Sequence, residues 1–185
     1  VSDEKGVSSI ATQKLRKILV LSTFPIGTIL TGGPRRLLAF CESLARRYSV
    51  LLLALGSYDQ EVREERLLLP HLRQIVLPWS EAERSECQRL QEETGISLDD
   101  IGLMRTADTH HELLQILQEE ACADLVVASH PYLYPAIAKV LPDTPLLYDA
   151  HNVESELKAQ VIGQRAPDLV GQVAEVEGAC ARQAL

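Results

Sequence analysis

The sequence predicts an α/β fold, a doubly wound, Rossmann-like parallel sheet in a single domain. Three observations carry that expectation. Short runs of Val, Leu and Ile alternate with longer stretches of helical apolar period, the pattern of βαβ units. The runs are apolar at nearly every position, which marks strands covered on both faces, as in parallel sheets. At 185 residues the chain suits one substantial domain and is short for two.

The elements follow in order. Residues 17–21 (KILVL) read as a buried strand. A helix over 34–48 places Leu37, Leu38, Cys41, Leu44, Ala45 and Tyr48 on one stripe. Pro34 suits its first turn, where an N–H is not needed. Residues 49–55 form a second strand, nearly all Val and Leu, and 74–77 a shorter third strand closed by Pro78. Residues 81–93 are charged and weakly periodic, as in a surface helix, and 95–105 fit neither period. A helix over 109–121 gathers Leu113, Leu114, Leu117 and Ala121 on one face. Residues 124–128 give a fourth strand, 132–140 a short helix and 145–148 a fifth strand. Leu169, Val173, Val176, Cys180 and Ala184 line a last helix. Residues 1–16 are a polar N-terminal arm, so the domain is expected over 17–185. A chain that ends directly on such a helix is either complete or cut before a second domain, and the expectation is a cut.

Composition narrows the function classes. Eighteen basic residues against 26 acidic ones give a net charge of −8, which argues against nucleic acid as a partner. Small phosphorylated ligands remain open, because a few local donors bind them. Cys41, Cys87, Cys122 and Cys180 form no Cys-x-x-Cys and no close Cys/His pair, so no metal site is expected. Buried free thiols in a reducing compartment fit them. No apolar run reaches the roughly 18 residues of a bilayer span, and residues 1–16 lack a signal-peptide block. The default location is cytoplasmic.

Three sites stand out. After the first strand, Gly32 and Gly33 precede a helix, where the absence of Cβ lets backbone N–H groups approach an anion. The loop is neither a Walker loop nor a Gly-x-Gly-x-x-Gly fingerprint, so a simple turn is the plainer reading. Arg35 and Arg36 either clamp phosphate or face water. After the fourth strand come Ser129, His130 and Pro131; Pro131 predicts an extended His130 at the crevice edge. After the fifth strand, Asp149, His151, Asn152 and Glu154 crowd one exit. Asp149 or Asn152 is expected to cap the next helix. Capping does not explain His151, which is the expected ligand residue. Glu175 and Glu177 read as a solvated face, His110 and His111 as surface, and Trp79 as loop packing rather than a stacking platform.

Taken in order, four features resemble the N-terminal domain of a GT-B glycosyltransferase of the retaining family 4. They are the strand at 17–21 with Gly32 and Gly33, the helix leading into 49–55, the segment ADLVVASH at 123–130 and the segment YDAHNVE at 148–154. The resemblance covers about residues 16–185. It implies two Rossmann-like domains with the active site between them, of which this is the acceptor-side one. It further implies a UDP- or GDP-sugar donor, no metal or other cofactor, and an acceptor hydroxyl. Gly32, Gly33 and Arg36 would approach the donor diphosphate. His151 would be catalytic, contacting the donor sugar, while His130, Asp149, Asn152 and Glu154 would line the acceptor side of the cleft. A lipid acceptor would place the protein peripherally at a membrane. The family's Glu-x7-Glu motif belongs to its C-terminal domain, which the resemblance over residues 16–185 does not cover, so the isolated chain is expected to be inactive. The alternative is a non-catalytic Rossmann- or flavodoxin-like binding or interaction module. A receiver domain is disfavoured, because Ser22, Thr23, Phe24 and Pro25 stand where its acidic cluster would lie.

Overall fold

The computed structural model describes residues 15–27 and 32–185. The N-terminal arm lies almost wholly outside the described residues, and so do residues 28–31 of the glycine loop. Six strands form one sheet: β1 (Lys17–Ser22), β2 (Ser49–Leu55), β3 (Glu64–Leu69), β4 (Leu72–Leu77), β5 (Leu125–Ser129) and β6 (Leu146–Asp149). Their spatial order is β3-β4-β2-β1-β5-β6. All neighbours are parallel except β3, which pairs antiparallel with β4. The α/β prediction holds, and the wholly parallel sheet is corrected at this edge. The sequence EERLLL of β3 is largely exposed and carries charge, as edge strands do to resist further pairing. That charge hid it from a search for apolar runs.

Seven α-helices and one 3-10 turn (Ala107–Thr109) complete the described residues, the helices being α1 (Gly32–Ala45), α2 (Glu81–Thr94), α3 (Asp99–Thr106), α4 (His111–Glu119), α5 (Tyr134–Val140), α6 (Glu154–Ile162) and α7 (Pro167–Gln183). Strand alternation sorts the core into two faces. Ile18, Val20, Val50 and Leu52 point to Leu37, Cys41 and Ala45 of α1. Leu19, Leu21, Leu53 and Leu77 point to the other side, against Leu113, Leu117, Ala136 and Ile137. A third apolar cluster ties Leu90 of α2, Ile101 and Met104 of α3, Ile162 of α6 and Val173 of α7 around Tyr132. This cluster lies beside the ends of the strands and supports the walls of the site.

Several expectations change in detail. Helix α1 opens at Gly32, so both glycines belong to its first turn rather than to a preceding loop. Helix α3 resolves the stretch 95–105 that fits neither period, and α6 gives bounds to the helix expected after the fifth strand. His110 is buried and N-caps α4: its Nδ1 accepts from the Leu113 N–H at 3.1 Å, and its Nε2 lies 3.2 Å from the Pro78 carbonyl. Cys41, Cys87 and Cys180 are buried, whereas Cys122 is exposed. Burial pushes the Cys41 thiol up to about 12. Trp79 packs as expected, donating through Nε1 to the Gly56 carbonyl at 2.8 Å. No described helix is long and apolar enough to cross a membrane.

Candidate functional site

The chain leaves β1 toward β2 on one side and later returns to lay β5 on the other side of β1. Parallel strands that diverge in this way open a crevice beyond their C-terminal ends. A cleft of about 720 Å³ lies there. Thr23 and Phe24 enter it from the end of β1, Gly56 to Asp59 from the end of β2, and His130 from the end of β5. Asn152, just ahead of α6, and Glu154 and Lys158 of α6 close it, with Asp99 and Asp100 of α3.

His130 is the most constrained residue of the site. Its φ is +73°, and it is the only non-glycine residue with positive φ among the described residues. This overturns the extended conformation that Pro131 predicted. A left-handed backbone costs about 1–2 kcal/mol, so tertiary contacts must hold it. The ring lies 4.2 Å from the His151 ring, 5.6 Å from Phe24 in an edge-on arrangement, and 6.1 Å from Tyr132 (centroid distances). Its Nδ1 donates to Glu154 Oε1 at 3.1 Å. An ionised carboxylate can only accept, so that nitrogen carries a proton.

Glu154 gathers three donors. Besides His130, the Tyr132 hydroxyl donates to Oε2 at 2.7 Å and Asn152 Nδ2 to Oε1 at 3.4 Å. Burial is the largest single influence and pushes its carboxyl up. The hydrogen bonds from His130, Tyr132 and Asn152 together outweigh it and hold the group at about 2. A carboxylate lowered from 4.5 to about 2 contributes stability that is full above its unfolded pKa and is lost as pH falls through its folded one. The loss falls between about pH 4.5 and 2 and amounts to about 3 kcal/mol. Glu154→Gln should therefore flatten the acid limb of a urea-stability profile by most of that amount. An unchanged limb would show that Glu154 is not the group responsible.

His151 stands behind His130 and is not part of the cleft wall. Its Nε2 lies 3.1 Å from Asp149 Oδ2 and 3.4 Å from Ser129 Oγ. Burial first, then the neighbouring His130, pushes its pKa down, against the opposing pull of Asp149. It is therefore a neutral hydrogen-bonding group near pH 7. The other oxygen of Asp149 accepts from Arg36 Nη2 at 2.7 Å, so Arg36 is already engaged. Gly32 and Gly33 supply first-turn N–H groups of α1, which have no helical partner. A Cβ on Gly33 would lie 3.2 Å from the ring of Phe24. The glycine permits the close approach that keeps Phe24 against His130.

The structure thus joins His130, Asn152 and Glu154 at the cleft, and His151, Asp149 and Arg36 in an adjoining chain of contacts. The expected capping of α6 by Asp149 or Asn152 is corrected. Val153 is the N-cap and makes no side-chain hydrogen bond. Glu177 of α7 does the capping instead, which removes it from the expected solvated face. Sequence reasoning also missed Tyr132, placed there in a helix that in fact starts at Tyr134. Lys158 was missed too; it pairs with Asp100 across the cleft and lies 5.7 Å from the centre of the Tyr132 ring. A buried lysine one helical turn after Glu154 is the only local signal, and it needs α6 to be recognised first.

No protein-family model and no curated protein matches the chain. Solved structures do match. The α,α-trehalose 6-phosphate synthase of Burkholderia multivorans superposes with a TM-score of 0.51 at 12% identity, over 88% of this chain and 37% of that one. An E. coli structure, described as trehalose-6-phosphate bound with UDP-2-fluoro glucose, aligns at a TM-score of 0.44 and 14% identity, over 71% and 32%. The likeness is one of fold: the α/β, Rossmann-like half of a GT-B architecture. The chain spans about a third of the length of these solved structures.

Proposed function

We propose that this chain is the acceptor-side domain of a retaining glycosyltransferase of the family 4 type. It would move a sugar from a UDP- or GDP-sugar to an acceptor hydroxyl without a metal, in partnership with a second, donor-binding domain. The observation that carries the reading is the pair of adjoining histidines at the mouth of the sheet, their rings 4.2 Å apart, His130 anchored by Glu154 and His151 anchored by Asp149.

The chemistry follows from these positions. In the reaction the bond from the anomeric carbon to the diphosphate oxygen breaks and a bond to the acceptor oxygen forms. The hydroxyl proton passes to the departing diphosphate. Such a transition state is helped chiefly by positioning and by fixed dipoles. His130, with Nδ1 committed to Glu154, offers the cleft its Nε2. The neutral His151 holds the His130 ring in place from behind. The first-turn N–H groups of Gly32 and Gly33 supply positive partial charge toward the diphosphate. Arg36 would join them by exchanging Asp149 for phosphate.

The test compares two proteins. A longer gene product carrying this domain and its second half should release nucleoside diphosphate from a UDP- or GDP-sugar when an acceptor is present. The 185-residue chain alone should not. Sugar-nucleotide consumption by the isolated chain would contradict the division of labour.

A further inference from the structure

We propose that Glu177, on α7, is a positioning residue for His130 and acts through the first turn of α6. The inference rests on the reading of the cleft as a sugar-transfer site.

Helix α6 is short and has no side-chain cap of its own. Its first N–H groups need an acceptor from elsewhere, and nine residues make an isolated helix marginal in water. Glu177 supplies the acceptor from 23 residues away. Its Oε1 accepts from the Glu154 N–H at 2.8 Å and from the Tyr148 hydroxyl at 3.1 Å. Its Oε2 accepts from the Ser155 N–H at 3.0 Å and the Ser155 hydroxyl at 2.7 Å. One carboxylate therefore meets four donors drawn from β6 and α6. A negative group at a helix N-terminus is also favoured by the helix dipole. Glu177 itself is held by its own helix, where Val173 and Cys180 are fully buried on either side of it.

The consequence runs to the cleft. Glu154 is the first residue of α6, so its backbone is fixed by Glu177 and its side chain by His130 and Tyr132. His130 keeps its left-handed backbone in part because Glu154 stands where Nδ1 can reach it. Without Glu177 the first turn of α6 loses its acceptor, Glu154 loses its register, and His130 loses its anchor. Glu177 touches no part of the cleft, so its effect on chemistry is indirect.

Histidine side-chain nitrogen spectra of the 185-residue chain, taken without substrate, read this directly. In Glu177→Ala the His130 Nδ1 resonance should move to where Glu154→Ala places it. In the longer two-domain protein, kcat should fall roughly ten- to a hundredfold, the scale of small misplacements in an active site, with KM for the donor little changed. A new cap should reverse both effects. Val153 is exposed and has the extended backbone of an N-cap, so Val153→Asp in the Glu177→Ala background should restore the His130 resonance and most of kcat. If Glu177→Ala fails to fold, Glu177→Gln carries the test, since its single amide oxygen meets at most half of the four donors and should move the resonance part-way. An unmoved His130 resonance in a folded variant, or no recovery with Val153→Asp, overturns the proposal. Absence of sugar transfer by the wild-type two-domain protein overturns the functional reading instead, and leaves the spectra to judge Glu177 by themselves.

Discussion

His130→Ala should lower sugar transfer by roughly two to three orders of magnitude, the scale of one preorganised group lost from a site that works by positioning and fixed dipoles, while the domain stays folded. The reason is geometric. His130 is the histidine that faces the cleft, and its Nδ1 is committed to Glu154. Alanine at φ +73° keeps the backbone strain and loses the contacts that offset it, so His130→Asn is the better companion variant. Asparagine tolerates the left-handed region more readily. Both variants should be inactive, with the asparagine form the more stable of the two in thermal unfolding. Nucleoside diphosphate release measures the first effect. Near-wild-type turnover in either variant would remove His130 from the chemistry.

Glu154→Ala should have the largest effect on the fold of any change in the site, about 3 kcal/mol in urea unfolding. It strands three donors at once, from His130, Tyr132 and Asn152. Tyr132 is 3% exposed, and burial already pushes its phenol well above the usual range. An unsatisfied buried donor costs about 1–3 kcal/mol. The His130 N–H loses its carboxylate acceptor at the same time, which adds to this. Glu154→Gln keeps an amide oxygen for Tyr132 and should cost clearly less. Equal losses in the two variants would show that packing, not hydrogen bonding, sets the value of this residue. Activity should fall in both, since His130 loses its carboxylate anchor in each.

The same residues show what the sequence could and could not reveal. Strand β2 is found at its predicted bounds because its apolar run has no competitor. The strand exits at His130 and His151 were legible for the same reason, since each follows an apolar run. Strand β3 was not, because an exposed edge is written in charge rather than in apolar residues. The bounds of helix α6 were not, because its start is stabilised by Glu177, far away in the chain, and not by a local cap. The left-handed backbone of His130 runs against the local rule that Pro131 suggests. It is held by Phe24, Glu154 and His151, each remote in sequence. Candidate residues were thus readable one by one, and their division between the cleft wall and its backing was not.

The most direct measurement is the anomeric configuration of the product, followed by proton NMR as the two-domain protein turns over a UDP- or GDP-sugar. The account predicts a first-formed product with the configuration of the donor, at a rate that collapses in His130→Ala. An inverted product, or a rate indifferent to His130, would contradict it.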